Sequence, residues 1–367
     1  MATTTIASNN ALTVKLWAKK LAQEVSKATP IAPLMSTGTN SIIQLKDETQ
    51  KGKGDKVTFG LRTQLIGDGV SEGTMLEGNE EALSTYNDAI MINELAHAVR
   101  VRNEQTIDAQ RVLFDMREEA NAGLVDWYAD RMSLMFFLHV CGYTAPSIGF
   151  EGRTVTLGGV HTGFNAVTAP TRQIFAGTAT AEAGTGALTS ADTFKLELID
   201  KAVERAKLAN PKIRPVRIDG GNHYVMYLHP TQVTSMRTNT STGQWLDIQK
   251  AAEKRGSDNP IFSGALGVYN NVILRESEHV TTGVAGTTTQ TEVPTVRRAV
   301  LLGAQSAVAA FGMKNTPEKF KRIEETFDYQ RELGVSAQTI LGMKKTVFNN
   351  NNSDFGVIVV STYAAPA

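Results

Sequence analysis

Apolar and polar positions alternate near residue 60. Val57, Phe59, Leu61 and Leu65 stand against Thr58, Gly60, Arg62 and Gln64. A period of two is that of a half-buried strand and predicts one over residues 56–66. The run stops at Gly67-Asp68-Gly69, a strong turn signal. A polar segment, residues 71–84, leads to a second extended stretch, 85–102. Together they predict a long hairpin with a wide, Gly-rich and acidic tip. A lone hairpin is marginal in water, so its apolar face needs another surface. If a neighbouring molecule supplies that surface, the chain is an assembly subunit.

Helical periods flank this hairpin. Val14, Trp17, Ala18, Leu21 and Val25 recur at gaps of three and four, which predicts an amphipathic helix over residues 11–28. Thr29-Pro30 ends it, because proline pushes the preceding residue out of helical geometry. The strongest helix is predicted over residues 104–140. Ala109, Leu113, Met116, Ala120, Leu124 and Trp127 form its stripe, and Asp115, Arg117, Glu118, Glu119, Asp126 and Asp130 cover other faces. At 1.5 Å per residue it is a rod of roughly 50 Å. If Leu113 is buried, Leu113→Ala costs about 2–5 kcal/mol, whereas Asp115→Ala costs well under about 1 kcal/mol. Gly123 inside the rod suggests a bend or close packing.

Beyond it, residues 142–189 are rich in Gly, Thr and Ala and read as loops and short strands, a surface insertion. Helix returns over residues 193–210, with Phe194, Leu198, Ala202 and Ala206 on one face and Pro211 as the stop. Residues 223–229 read as a strand and Pro230 as the start of a helix. Further strands are expected at 271–275 and 296–302, bracketing a Thr/Gly loop at 281–291 that reads as a second insertion. The tail, 322–363, reads as strands, with a turn at 349–352 before Val357-Ile358-Val359-Val360.

The 367 residues suffice for two to three domain-sized units. Lys+Arg and Asp+Glu are both 37, a net charge of zero. A dedicated nucleic-acid binder carries a basic excess, so that class is disfavoured, while weak contact with DNA along an inner wall is not. The one cysteine, Cys141, follows an apolar run and reads as a small buried hydrophobe in a reducing compartment. The first ten residues lack the basic start and apolar core of a signal peptide. No window has the roughly 20 strongly apolar residues of a membrane span.

Two catalytic motifs are missing from the chain: there is no phosphate loop and no His-Glu-x-x-His. The glycines from Gly67 to Gly73 miss the dinucleotide spacing and lead into loop rather than helix. His223 and His229 lack the third and fourth ligands a metal wants and read as strand and helix-capping residues. Glu118-Glu119 and Glu324-Glu325 are adjacent, do not face each other on a helix, and read as solvated faces. Two Asn-x-Ser sequons, at Asn239 and Asn351, carry no meaning without a secretory signal. No catalytic, cofactor or metal residues are expected.

A resemblance emerges when further blocks are set in order. They are Arg111 to Ala120, Leu124 to Arg131, Asn210-Pro211-Lys212-Ile213-Arg214-Pro215-Val216-Arg217, and Tyr224-Val225-Met226-Tyr227-Leu228-His229-Pro230. After these come Trp245 to Gly256, Asn259 to Gly267 and Asn271 to Ser277. This order resembles the major capsid proteins of tailed phages, in the group of coliphage N-four, from about Lys53 to the C-terminus. The resemblance implies an α+β fold of the Hong Kong 97 type. Its parts would be an N-terminal arm (1–35), an extended loop (36–102), a peripheral domain with a spine helix (103–192 and 316–367) and an axial domain (193–315). It also implies pentamers and hexamers forming an icosahedral shell around double-stranded DNA in the virion, with no enzymatic activity. Implied partners are further copies of the chain, a separate scaffolding protein, a portal and decoration proteins. Trp17, Arg62, Asp68 and Glu72 are the residues expected at subunit contacts. Lys51, Lys53 and Lys56 are candidates for a cross-link by residue type only, and none is expected. The rival readings are a bacterial compartment shell of the same fold, known by its bound cargo peptide, and a soluble α+β hydrolase, known by a converging catalytic set.

Overall fold

The structure, a computed structural model, describes residues 31–51, 54–62, 65, 67–83, 85–102, 106, 116–150, 153–157, 165–218, 220–239, 267–286, 290–312, 321–348 and 352–365. The expected helix at 11–28 with Trp17, the positions Leu113 and Asp115, and the block 245–266 lie outside them. In chain order the strands begin with β1 (Met35–Ser36), β2 (Ile43–Lys46), β3 (Lys56–Arg62), β4 (Thr85–Met91) and β5 (Asn93–Arg102). Next come β6 (Ser147–Phe150), β7 (Arg153–Thr156), β8 (Gln173–Phe175), β9 (Val216–Ile218) and β10 (Gly221–Leu228). They continue with β11 (Gly267–Tyr269), β12 (Val272–Glu276), β13 (Thr282–Ala285) and β14 (Thr291–Leu302). The last are β15 (Ala307–Phe311), β16 (Lys321–Phe327), β17 (Glu332–Lys345) and β18 (Val357–Tyr363). The main helices are α1 (Met116–Val140), α2 (Leu196–Leu208) and α3 (Pro230–Thr238).

Two sheets carry the molecule. An eight-stranded sheet runs β11-β12-β10-β14-β18-β8, with β13 on β14 and β9 on β10. A six-stranded sheet runs β1-β2-β15-β17-β16, with β5 on β17. The apolar runs Ala299-Val300-Leu301-Leu302 and Val357-Ile358-Val359-Val360 fit strands covered on both faces. Alternation then sorts each run. Val300, Leu302, Val357 and Val359 pack with Val225, Tyr227 and the end of α1. Ala299, Leu301, Ile358 and Val360 pack with Leu198, Ile199, Ala202 and Val203 of α2. Sheet membership crosses the expected boundary at residue 316, because β18 lies beside β14 while β15 pairs with β17 and β2.

Helix α1 changes character along its length. Glu118, Glu119 and Asp126 are exposed near its start, while Ala120 and Leu124 are buried. From Met132 to Val140 every residue is buried, so this end is surrounded by the core rather than laid against it. Trp127 is half-buried, with the His97 ring stacked at 4.3 Å and the Arg131 guanidinium 5.1 Å from its centroid. Gly123 is exposed, and a Cβ there would meet nothing within 4 Å, so close packing does not account for it. Leu124 is fully buried, and Leu124→Ala is expected to cost about 2–5 kcal/mol. Asp126→Ala is expected to stay within about 0.5 kcal/mol. Urea unfolding of the two variants checks the assignment; equal losses would place the buried face elsewhere.

Several loop expectations are corrected by tertiary pairing. Part of the segment 165–189 belongs to the core: Ala176 and Leu188 are buried, and β8 pairs in parallel with β18. Glu182, also buried, receives two bonds from Arg298 at 2.7 Å each. The same carboxylate accepts from the Ser361 hydroxyl (2.6 Å), the Gln173 amide (2.8 Å) and the Val284 N–H (2.6 Å). Arg298 further donates to the Cys141 and Gly142 carbonyls, so one ion pair joins the end of α1 to β8, β13, β14 and β18. The Thr/Gly stretch expected as a loop at 281–291 contains β13, antiparallel to β14 with a register shift at Thr282/Gly283.

Glu324 is not on a solvated face. Its carboxylate is almost buried between Arg117 (2.6 Å) and Arg322. His229 caps α3, its Nδ1 accepting from the Thr231 N–H at 3.2 Å. Burial, aided by the Arg297 charge, pushes the pKa of His229 down to about 4. Cys141 is fully buried, and burial raises its thiol pKa.

Candidate assembly surface on a braced hairpin

β3 and β4 pair antiparallel from Lys56↔Met91 to Arg62↔Thr85. Seven residues per leg give an arm of about 24 Å before its tip. The expected sided pattern is present, but this chain covers it. Val57 and Ile90 are buried against Val308 and Ala310 of β15, with Phe59 and Ile92 packed alongside. The apolar face at the base therefore has no need of a neighbour.

The base is held by more than apolar contact. Asn165 accepts from the Met91 N–H (2.9 Å) and donates to the Met91 carbonyl (2.8 Å), as a neighbouring strand would. Lys344 Nζ lies 2.6 Å from Asp88, whose other oxygen accepts from the Val347 N–H at 3.0 Å. At Gly342 the backbone crosses the hairpin so closely that a Cβ would stand 2.0 Å from the Met91 carbonyl oxygen. Only glycine fits there. Beyond Met91 the chain passes into β5, which pairs with β17 from Asn93↔Leu341 to Arg102↔Glu332. The second leg of the expected hairpin is thus hairpin only as far as Met91, and sheet from there on.

The tip is the opposite case. Every residue from Gly67 to Leu83 is exposed. Leu65, Val70, Met75, Leu76 and Leu83 are 57%, 36%, 71%, 60% and 58% exposed. Among the described residues, the other large apolar side chains this exposed are Leu208, Val268, Ile323 and Tyr329. The tip also carries Asp68, Glu72, Glu77, Glu80 and Glu81, and no lysine or arginine lies between residues 65 and 83. Its order is local. Glu81 Oε2 accepts from the Gly67 N–H and Glu80 Oε2 from the Gly78 N–H, both at 2.7 Å. The Asn79 amide donates to the Met75 carbonyl at 2.8 Å.

Of the residues expected at contacts, Asp68 and Glu72 are exposed on this tip and make no ion pair among the described residues. Arg62 is the last paired residue of β3, opposite Thr85. Trp17 lies outside the described residues. Sequence reasoning misses Met75, Leu76 and Leu83, because the stretch reads as simply polar. A signal for them is present all the same: isolated large apolar residues among acids and glycines, with no strand or helix period to bury them. Among the described residues no group of His, Cys, Asp and Glu is arranged to hold a metal. No helix among them is long and apolar enough to cross a membrane.

A rigidly mounted arm that leaves apolar side chains in solvent is a candidate protein interaction site. The comparisons agree. The family model described as "Phage capsid protein" matches residues 5–366. The chain is 30% identical to the capsid of Ralstonia phage GP4, with a TM-score of 0.78, covering 100% of this chain and 99% of that one. It is 28% identical to the major capsid protein of Pseudomonas phage KPP25, over 94% of this chain and 93% of the relative. The Cyanophage Pam1 capsid shares the fold at 21% identity, with a TM-score of 0.68 over 93% and 94% of the two chains. The chain belongs to the phage capsid protein family, as a tailed-phage major capsid protein of the mixed α+β, Hong Kong 97-type fold. It is a structural rather than enzymatic subunit, it self-associates, and it forms the head shell of the virion.

Proposed function

We propose that the chain forms pentamer and hexamer rings that close into an icosahedral shell around double-stranded DNA, each hairpin tip docking on a neighbouring copy. The carrying observation is the exposed apolar and acidic tip on a base that needs nothing from outside. Head-to-tail contacts of this kind close into rings where the rotation permits. Asp68 and Glu72 lie at that contact, with Arg62 at the neck of the hairpin and Trp17 on an arm reaching another subunit. The four-part division into arm, extended loop, peripheral domain and axial domain is kept, with β18 contributing to the axial sheet and β15 to the peripheral one. Scaffolding, portal and decoration proteins are the expected further partners, with weak non-specific contact to the packaged DNA and no cross-link between subunits. Placement in the coliphage N-four group rests on the order of sequence blocks. Negative-stain microscopy with light scattering tests the reading: shells or capsomer rings are expected. A strictly monomeric protein with enzymatic turnover would sink it.

A further inference from the structure

Two successive lysines end β17, and successive strand residues point to opposite faces. Lys344 pairs with Asp88 at the hairpin base. Lys345 turns into the core, where its Nζ lies 2.7 Å from Oδ1 of Asp354, and the two side chains are 2% and 1% exposed. A buried ion pair holds its own against the cost of desolvation only when hydrogen bonds satisfy its atoms. The Arg298–Glu182 pair meets that condition with two aligned bonds. The Lys345–Asp354 pair does not: Asp354 Oδ1 is buried and accepts no hydrogen bond among the described residues, although the nitrogen stands beside it. Both partners are nevertheless held in place by one segment. The Ala169 carbonyl accepts from Lys345 Nζ at 3.1 Å. The Thr171 N–H donates to Asp354 Oδ2 at 2.9 Å, and the Thr171 hydroxyl accepts from the Asp354 N–H at 2.8 Å. Phe348 and Phe355, both buried and edge-to-face at 5.1 Å, belong to the same turn of chain.

We propose that Lys345 and Asp354 condense into an amide bond inside the single chain. Lys345 Nζ attacks Asp354 Cγ, the Cγ–Oδ1 bond breaks, and Oδ1 leaves as water. The ammonium group starts with three protons; one stays on the amide nitrogen and two depart with Oδ1. Nothing is oxidised or reduced, and no further reactant is consumed. The carboxylate itself takes the first proton from the ammonium, because a site without water favours the neutral amine and acid over the two ions. Burial lowers the pKa of Lys345, against the opposing charge of Asp354. The Thr171 N–H already faces Oδ2, the oxygen that carries the charge of the tetrahedral intermediate, and stabilises it as an oxyanion donor does. Groups fixed in contact react as though at concentrations on the order of 10⁵–10⁸ M, and exclusion of water protects the product from hydrolysis. The bond ties the last residue of β17, in the six-stranded sheet, to the segment that enters β18 in the eight-stranded one. It lies within a subunit and joins no two copies.

The test is mass spectrometry of the full chain, denatured and digested with trypsin, taken both from the free subunit and from assembled shells. No lysine or arginine follows Lys345, so an unlinked chain releases residues 346–367 as its last peptide. Trypsin cannot cut after a lysine whose nitrogen is acylated. The linked chain is therefore expected to release residues 345–367, one water lighter than their sequence, with no fragment ions from backbone breaks between Thr346 and Ser353. Lys345→Arg and Asp354→Ala are each expected to return the full mass. Digestion follows denaturation, so these variants are read whether or not they fold. A wild-type C-terminal peptide of full mass in both the free subunit and the shells overturns the proposal. A missing water that persists in Lys345→Arg overturns it as well, since that loss would be a succinimide at Asp354.

Discussion

Closed shells are expected to become rare when Asp68 and Glu72 are both changed to lysine, while the isolated subunit melts as before. Both residues sit on a tip whose every position from Gly67 to Leu83 is exposed. Surface changes of this kind stay within about 0.5 kcal/mol, which moves a melting midpoint by no more than about 1–2 °C. Assembly differs because the interface excludes water. An exposed ion pair is worth about 0–1 kcal/mol, but removing one partner of a desolvated pair costs about 2–5 kcal/mol. A shell multiplies that cost over every copy of the interface. Met75→Ser with Leu76→Ser should act in the same direction, since a fully buried apolar side chain contributes about 1.5–3 kcal/mol and their own chain leaves these two uncovered. The check is a melting curve beside a particle count. Normal shell yield, or a subunit melting many degrees lower, would show that the tip has another role.

Arg298→Met is expected to be the most damaging single change inside the subunit, at about 3–5 kcal/mol. That is a large part of the roughly 5–15 kcal/mol by which a domain is stable. Arg298 and Glu182 are 4% and 6% exposed, and their two bonds are 2.7 Å each. Removing the cation strands a carboxylate in the core and leaves the Cys141 and Gly142 carbonyls without their donor. The pair itself adds little net stability, because burying both charges costs nearly what their attraction returns. The double variant Arg298→Met/Glu182→Gln should therefore lose markedly less than the single one. Urea titration of the unassembled subunit measures both. A single-variant loss under about 1 kcal/mol, or a double variant worse than the single, would remove the pair from its central place.

Most element types are legible along the chain. The period of two from Val57 to Leu61, the stripe through Ala120 and Leu124, the helix stop before Pro211 and the proline start of α3 all come from local pattern, and local pattern reflects which face meets water. The errors share a different cause. Residues 142–189 read as a surface insertion of loops and short strands, and 281–291 as a loop, because Gly, Thr and Ala carry no strong period. They become strand and core only because β14 and β18 offer open edges, which no local window reveals. Glu324 looks solvated because one of its two partners, Arg117, is 207 positions away in sequence.

The acidic, lysine-free composition of the tip, its turn glycines and its scattered Val70, Met75, Leu76 and Leu83 are properties of the sequence by itself. So are the apolar runs that demand burial on both faces, the long helix, and the ordered blocks that point to a capsid family. Tertiary structure decided which apolar surfaces were left over. It closed the hairpin base on Val308 and Ala310 and kept the tip in solvent. It also left Leu208, at the end of α2, exposed beside Lys201 and Arg205. Those outcomes depend on how distant strands pair and how closely backbones cross, as at Gly342 over Met91. Pairing over such distances is set by the packing of the whole chain rather than by any stretch of it.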